Sequence, residues 1–192
     1  MQHHVSWPDG VDNAPVYIKI GKSASEILEP GYLTAEIKAL HAKQVGVMID
    51  ADVHTEGRYQ SIRNLCRKLF PLMPASLPIE GLVVANQEGK RFGVWIMPDN
   101  DATGCLETFL QFFIPNDAEP IWQHATDSVS AARRMGAPCK ETHVIKANLY
   151  TWLAWQDEPG QSPGLALTRK ILDPLCPYSE QFVNWFKALY QV

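Results

Sequence analysis

The sequence predicts an α/β fold in which helices cover a partly parallel sheet and a helical layer forms the C-terminal end. Short β-rich runs alternate with helix-periodic segments over the first 115 residues, and no β-rich run follows them. The run VGVMI at 45–49 is continuously apolar, which is typical of a strand buried on both faces. We therefore expect an irregular segment at 1–15 and one domain at 16–192, with the α/β core ending near 115 and a helical part at 116–192.

The first elements follow from turn residues and from hydrophobic spacing. Residues 1–15 are rich in Pro, Gly, Asp and Asn, which predicts an irregular start. VYIKI at 16–20 alternates and is β-branched, so it predicts a strand. Leu33, Ile37 and Leu40 lie on one face of a helix predicted at 32–43. A right-handed crossover through this helix should then place 16–20 parallel to the strand at 45–49.

The later elements are a helix, a hairpin and a series of helices. Tyr59, Ile62 and Cys66 predict a helix after the strand at 45–49. GLVVAN and RFGVWIM read as two strands joined by QEGK, with Gly89 supplying the positive φ of the turn. Helical spacing then predicts helices at 103–114, 119–135, 142–156, 165–172 and 179–190.

Composition excludes some classes of protein. The chain has 17 Lys and Arg against 21 Asp and Glu, a formal charge of -4, which argues against a surface that binds nucleic acid everywhere by neutralising phosphates. A local basic patch is compatible with this charge. No apolar run is long enough to span a bilayer, and MQHHVSWPDG lacks the features of a signal peptide. We expect a cytoplasmic protein without a membrane partner.

Two aspartates follow the predicted strand at 45–49. If that strand is parallel, Asp50 and Asp52 lie at its carboxyl end, where open α/β sheets bind their ligands. Residues i and i+2 of an extended backbone point to the same side, so both carboxylates could bind one ion, and Mg²⁺ typically takes one or two carboxylates. The alternative is that Asp52 caps the next helix while Asp50 ends the strand in solvent.

Three further polar or aromatic groups are candidates for function. Asp99 follows a strand end as Asp50 does, and Glu107 lies in the next predicted helix, although turn and N-cap chemistry also explains these acids. Trp152 and Trp155, three residues apart on a predicted helix, could form a platform for bases or could pack in the core. Lys146, on the same helix, could neutralise a phosphate or remain solvated.

Three segments together resemble a bacterial family catalogued as a domain of unknown function, number 3226. They are VGVMIDAD at 45–52, GVWIMPDN at 93–100 followed by GCLE at 104–107, and KANLYTWLAWQDEPGQSPG at 146–164 followed by Ala166. This family is similar in turn to the TOPRIM fold, the metal-binding α/β domain of topoisomerases, primases and some nucleases. The resemblance covers nearly the whole chain from about residue 16.

The resemblance implies a Rossmann-like, TOPRIM-type sheet whose two aspartates, here Asp50 and Asp52, bind Mg²⁺, or Mn²⁺, for phosphodiester chemistry. Two ions can hold the attacking and leaving oxygens in such nucleases, so further acids are required. Asp99 is the candidate for a further metal ligand, and Glu107 and Lys146 are the candidates for catalytic residues. By analogy, the partners are nucleic acid and an ATPase, and the biological context is phage defence or DNA repair.

The chain departs from the TOPRIM pattern at its front. TOPRIM domains begin with a strand that ends in a catalytic glutamate, and residues 1–15 contain no acidic strand end. This strand either lies upstream of Met1 or has been lost, and its loss would leave a sheet edge unpaired, so we expect marginal stability or self-association. The retained aspartates favour a nuclease or phosphotransfer domain. The missing glutamate favours a non-catalytic module that binds nucleic acid or a protein partner.

Overall fold

The computed structural model describes residues 2–5, 16–39 and 42–192. Its strands are β1 (Gln2–Val5), β2 (Val16–Lys19), β3 (Gln44–Asp50), β4 (Leu82–Ala85) and β5 (Arg91–Met97). Its helices are α1 (Ala24–Ile27), α2 (Tyr32–Lys38), α3 (Thr55–Cys66), α4 (Leu106–Gln111), α5 (Glu119–Arg134), α6 (Val144–Ala154), α7 (Pro163–Thr168) and α8 (Pro177–Tyr190). Short 3₁₀ helices at Asn116–Ala118 and Glu141–His143 precede α5 and α6.

The described strands form two separate sheets. In the larger sheet the order is β3-β5-β4, with β3 parallel to β5 and β4 antiparallel to β5. The register places Val47 opposite Val94 and Asp50 opposite Met97. The two remaining strands, β1 and β2, pair with each other in antiparallel fashion. The prediction of an α/β fold with a partly parallel sheet is confirmed in this form, with one parallel pair.

The predicted hairpin is present between β4 and β5. Asn86 N–H donates to the Lys90 carbonyl at 2.9 Å, and the Asn86 side chain accepts from the N–H groups of Glu88 and Lys90. Gly89 has φ 77° and nothing within 4 Å of an added Cβ, so its backbone conformation alone favours glycine at this turn. Turn chemistry in the sequence was sufficient to locate this element.

The predicted crossover from 16–20 to 45–49 is wrong. The parallel partner of β3 is β5, and β2 pairs with Gln2–Val5, where the sequence predicted irregular chain. Residues 6–15 of that predicted irregular segment lie outside the described residues. Val16 is the only buried residue of β2. A central strand of a parallel sheet is normally covered on both faces, so β2 is unsuited to that position. Alternation of polar and apolar residues identified the strand but carried no information about its partner.

Helices cover both faces of the larger sheet, and each face has its own core. On one face, α2 and α3 pack on β3 and β5 through a cluster that includes Ile37, Tyr59, Ile62, Phe92 and Val94. On the other face, α4, α6 and α8 pack around Trp95 through a cluster that includes Phe109, Leu149, Trp152, Trp185 and Leu189. Residues 116–192 contain helices and loops without a strand, as the sequence predicted.

Strand β3 is not buried on both faces, as its apolar run had suggested. Val47 and Ile49 are buried toward α3, but Met48, on the opposite face, is 43% exposed. The reason is position, because β3 lies at an edge of the sheet formed by the described strands. The expectation of self-association through an unpaired edge stays a prediction.

Helix α8 lies close to the sheet because β3 and β5 each present a glycine to it. A Cβ added to Gly46 or Gly93 would lie 2.8 or 2.7 Å from the Leu189 Cδ2 atom. The indole Nε1–H of Trp185 donates to the Leu82 carbonyl at 2.9 Å and fixes the helix to β4. In the described part of the chain, no helix is both long and apolar enough to cross a membrane.

Candidate functional site

Asp50 ties the carboxyl end of β3 to the start of α4. Its side chain is half-buried, and its Oδ1 atom accepts a hydrogen bond of 2.9 Å from the N–H of Leu106, the first residue of α4. The alternative, in which Asp50 ends the strand in solvent and Asp52 caps α3, is not observed. Asp50 is half-buried, and the carboxylate that binds a helix start is that of Asp50, at α4. Within the described residues, Asp50 Oδ2 has no hydrogen-bond partner.

Asp52 does not continue the extended backbone that the sequence argument assumed. Its φ is 52°, in the left-handed region that Asp tolerates better than most residues. Two backbone hydrogen bonds with Gly104, at 2.8 and 2.9 Å, hold it in this conformation. Its Oδ2 atom binds Arg58 on α3, so Asp52 forms an ion pair with α3 and does not cap it. The assumption that extended backbone continues from Asp50 through Asp52 is therefore wrong.

Glu107 and Lys146 form an ion pair beside Asp50. Lys146 Nζ lies 3.0 Å from Glu107 Oε1, and the Cys105 thiol donates to Glu107 Oε2 at 3.2 Å. The Glu107 side chain is only 13% exposed, whereas that of Lys146 is 56% exposed. Because Glu107 follows Leu106 directly, the contact from Asp50 to α4 also places Asp50 beside this pair.

The electrostatics of these groups are coupled. Burial raises the pKa of Asp50, and repulsion from Asp52 and Glu107 adds to the rise, while the Leu106 N–H and Lys146 oppose it. Burial also acts to raise the pKa of Glu107, but the hydrogen bonds from Lys146 and Cys105 outweigh it and hold that pKa below its ordinary value. The hydrogen bond and charge of Glu107 raise the pKa of Lys146. Glu107 and Lys146 are thus both charged at neutral pH. Asp50 is the carboxylate whose charged form the fold disfavours.

Asp99 acts as a turn residue, with its side chain hydrogen-bonded to the backbone of its own loop. Its Oδ1 atom accepts from the N–H groups of Asp101 and Ala102, at 3.2 and 2.8 Å, in the loop after β5. The alternative reading of this acid, as a turn residue, accounts for both contacts. Asp99 is therefore not among the proposed metal ligands.

The two tryptophans of α6 do not share one environment. Trp152 is 1% exposed and belongs to the core, whereas Trp155 is 44% exposed and its ring centroid lies 5.3 Å from that of His124. Trp155 comes nine positions after Lys146, which is about half a turn around the helix axis. These tryptophans therefore do not form a common platform with Lys146.

The residues at this site suit a small hard cation that keeps most of its waters, and not an ion enclosed entirely by protein ligands. Among the described residues, no group of three or more His, Cys, Asp or Glu side chains is placed to hold a metal ion. Mg²⁺ does not need such a cage, because it usually binds one or two carboxylates and keeps several waters. Asp50 Oδ2 and Asp52 Oδ1 are both without a partner in the described part of the chain. Burial is the main cause of the raised pKa of Asp50, and a cation there would relieve the repulsion that adds to it.

The sequence did not assign three residues that complete the site. Arg58 neutralises Asp52, Gly104 holds the Asp52 backbone, and Cys105 donates to Glu107. Arg58 lies one turn into α3. An arginine six residues after Asp52, on the helix that follows it, was the only signal in the sequence for this ion pair. Gly104 and Cys105 lie in the GCLE segment, but nothing in their spacing indicated that Gly104 contacts Asp52, some fifty positions earlier in the chain, or that the Cys105 thiol contacts Glu107.

The raised pKa of Asp50 predicts a gain in stability on replacing it. The folded state holds the Asp50 proton more tightly than the unfolded chain does, so the free energy of unfolding falls as pH rises from the ordinary carboxyl pKa through the raised one. Asp50→Asn should therefore have a higher free energy of unfolding than wild type at neutral pH without metal, which urea unfolding measures.

That gain should disappear in acid, below the ordinary carboxyl pKa, because Asp50 is then neutral in both states. Asp99→Asn is the matched control, since it removes the same charge from a carboxylate held by its own turn. A loss of stability in Asp50→Asn at neutral pH would show that the charged form is favoured by the fold, contrary to this account.

Comparison with known proteins gives the family. The family model described as Protein of unknown function (DUF3226) matches residues 1–191. Searches of curated proteins and of solved structures found no match. The match spans almost the whole chain and agrees with the segments identified in the sequence. The chain belongs to the DUF3226 family.

Proposed function

We propose that this chain is a TOPRIM-like enzyme of phosphodiester chemistry, a nuclease or phosphotransfer domain that acts on nucleic acid with Mg²⁺ or Mn²⁺. The observation that carries the proposal is the cluster at the carboxyl end of the parallel pair β3 and β5, where Asp50 meets Asp52, Glu107 and Lys146. A ligand site at this end of parallel strands is the general expectation for α/β sheets.

Asp50 and Asp52 are the proposed ligands. Each has one carboxylate oxygen engaged by the protein, by the Leu106 N–H and by Arg58, and one oxygen left for an ion. These protein contacts orient the carboxylates before an ion binds. When bound, Mg²⁺ would neutralise charge on a phosphate and lower the pKa of a coordinated water.

Lys146 is proposed to contact the phosphate, with Glu107 as its positioning residue. The raised pKa of Lys146 keeps its ammonium charged, so it serves as a hydrogen-bond donor to developing negative charge and does not accept a proton. Glu107 holds the ammonium at 3.0 Å and is itself fixed by Cys105. Because the Lys146 side chain is more than half exposed, a phosphate can reach it from solvent.

A second candidate is a non-catalytic module that binds nucleic acid or a partner protein such as an ATPase. The observation that favours it is that the site's two cations are already paired, Arg58 with Asp52 and Lys146 with Glu107. Such a network can also serve only to hold β3, α3, α4 and α6 together. In that case the chain binds without cutting, and substitution of Asp50 leaves binding unchanged.

Cleavage of nucleic acid tests the first proposal. Wild type should nick supercoiled plasmid or cut a labelled single strand with Mn²⁺ or Mg²⁺ but not with EDTA. Asp50→Asn should be at least about 100-fold slower, because even the loss of a group that only hydrogen-bonds to a metal ligand typically costs about 10–100-fold. Asp99→Asn, which removes a carboxylate outside the proposed ligand set, should retain most activity. Equal rates for wild type and Asp50→Asn would sink the proposal.

A further inference from the structure

We propose that the site takes a nucleic-acid strand with unpaired bases, and that Tyr150 is the residue on which a base stacks. This inference rests on the proposed function and specifies its substrate class. It comes from three exposed apolar side chains that border the carboxylates, and from the scarcity of unpaired positive charge beside them.

The apolar border follows from contacts on three elements. Met48 lies two residues before Asp50, on the same face of β3, and is exposed although the residues on either side of it are buried. Leu106, which donates its N–H to Asp50, has a side chain that is also exposed. Tyr150 lies one helical turn after Lys146 on α6, is 46% exposed, and interacts with the Lys146 charge. Apolar surface therefore adjoins the acidic site on the strand, on α4 and on α6.

The charges at the site favour an unpaired strand over a duplex. Duplex binding depends on neutralising several phosphates with Lys and Arg. Here the two cations that contact the site's carboxylates, Arg58 and Lys146, already form ion pairs, and the chain as a whole carries a formal charge of -4. Affinity must then come mainly from the ion and from contacts with bases, and a duplex keeps the faces of its bases covered.

An exposed aromatic ring beside a phosphate-binding lysine supplies such contacts. Stacking of a base on an aromatic side chain is worth about 1–3 kcal/mol and tolerates any sequence, because every base has a π-face. Tyr150 is one turn from Lys146, so a base attached to the phosphate held there is within reach of the ring. Met48 and Leu106 extend the apolar surface for neighbouring bases. Trp155 lies around the other side of the same helix and is expected to contribute nothing.

Binding measured without cleavage tests this inference. A labelled single strand of about twenty nucleotides and its duplex are titrated by fluorescence anisotropy with Ca²⁺ in place of Mg²⁺, using wild type, Tyr150→Ala, Tyr150→Phe and Trp155→Ala. Wild type should bind the strand more tightly than the duplex. Tyr150→Ala should weaken strand binding by about 5- to 150-fold, the loss of one stacked base, whereas Tyr150→Phe, which keeps the ring, should stay within about twofold.

The outcomes separate this inference from the proposal on which it rests. Equal binding of strand and duplex, or an unchanged Kd in Tyr150→Ala, would overturn the inference while metal-dependent cleavage by wild type could still stand. Weakening by Trp155→Ala in place of Tyr150→Ala would overturn it in favour of the other face of α6. Failure to bind or cut either form would overturn both. A shallow salt dependence of strand binding is also expected, with log Kd rising by about 1 for each tenfold increase in salt concentration, because few phosphates are neutralised.

Discussion

Gly81→Ala should lower the free energy of unfolding by about 2–5 kcal/mol, because a side chain at this position meets two separate obstacles. The φ of Gly81 is +81°, in the region that favours glycine, and an added Cβ would lie 2.5 Å from Trp185 Cδ1 and 2.9 Å from Trp95 Cε3. Both indoles belong to the core between the sheet and α8, and Trp185 is anchored to the Leu82 carbonyl. Neither ring can move aside without disturbing that core.

Gly160→Ala provides a matched control for the backbone contribution. Gly160 has the same φ of +81°, but nothing lies within 4 Å of its added Cβ. Its substitution should therefore cost only about 1–2 kcal/mol, the price of the left-handed conformation for an L-residue. Urea unfolding of both variants measures the difference, and the melting temperature should fall by roughly 2–4 °C for each kcal/mol. Equal losses for the two variants would mean that the core around Trp185 is loose enough to admit a methyl group.

Asp50→Asn should weaken the binding of Mn²⁺ by about 100-fold or more. Asparagine can still accept the hydrogen bond from Leu106, so α4 should stay in place. What it removes is the negative charge of Asp50, together with the repulsion from Asp52 that a cation would relieve. The variant should thus lose metal affinity while its metal-free fold becomes slightly more stable, a separation that a merely structural role for Asp50 does not produce.

Local signals in the sequence located most elements of the fold. The hairpin over Gly89 followed from a turn sequence between two β-branched runs, and α3 followed from the spacing of Tyr59, Ile62 and Cys66. The helices at the C-terminal end were predicted within a few residues of their observed bounds. These elements depend on interactions between residues near one another in the chain, which a single sequence records directly.

Strand pairing was the part that the sequence did not specify. The alternating run at 16–20 and the apolar run at 45–49 both form strands, but they lie in different sheets. The exposure of Met48 likewise depends on β3 lying at an edge, which the apolar run could not indicate. Pairing depends on which surfaces the rest of the chain leaves free, and hydrophobic patterns alone do not record that choice.

The sequence identified residues that the structure brings together at the candidate site, but it gave the wrong backbone conformation for Asp52. Asp50, Glu107 and Lys146 do lie together, although they come from a strand and two helices far apart in the chain. Asp52 turns away from the extended path because two hydrogen bonds to Gly104 hold its φ at 52°. Residues i and i+2 point to the same side only where a strand continues, and here β3 ends at Asp50 and Asp52 forms a bridge to Gly104.

Calorimetric titration of Mn²⁺ into the metal-free chain tests the central claim most directly, because it measures the ion at Asp50 and Asp52 without requiring a substrate. Wild type and Asp99→Asn should bind Mn²⁺ with similar affinity, and binding to Asp50→Asn should be about 100-fold weaker or undetectable. Melting curves recorded beside the titration show that each variant is folded. Mn²⁺ binding by Asp50→Asn with the affinity of wild type would contradict the assignment of this site.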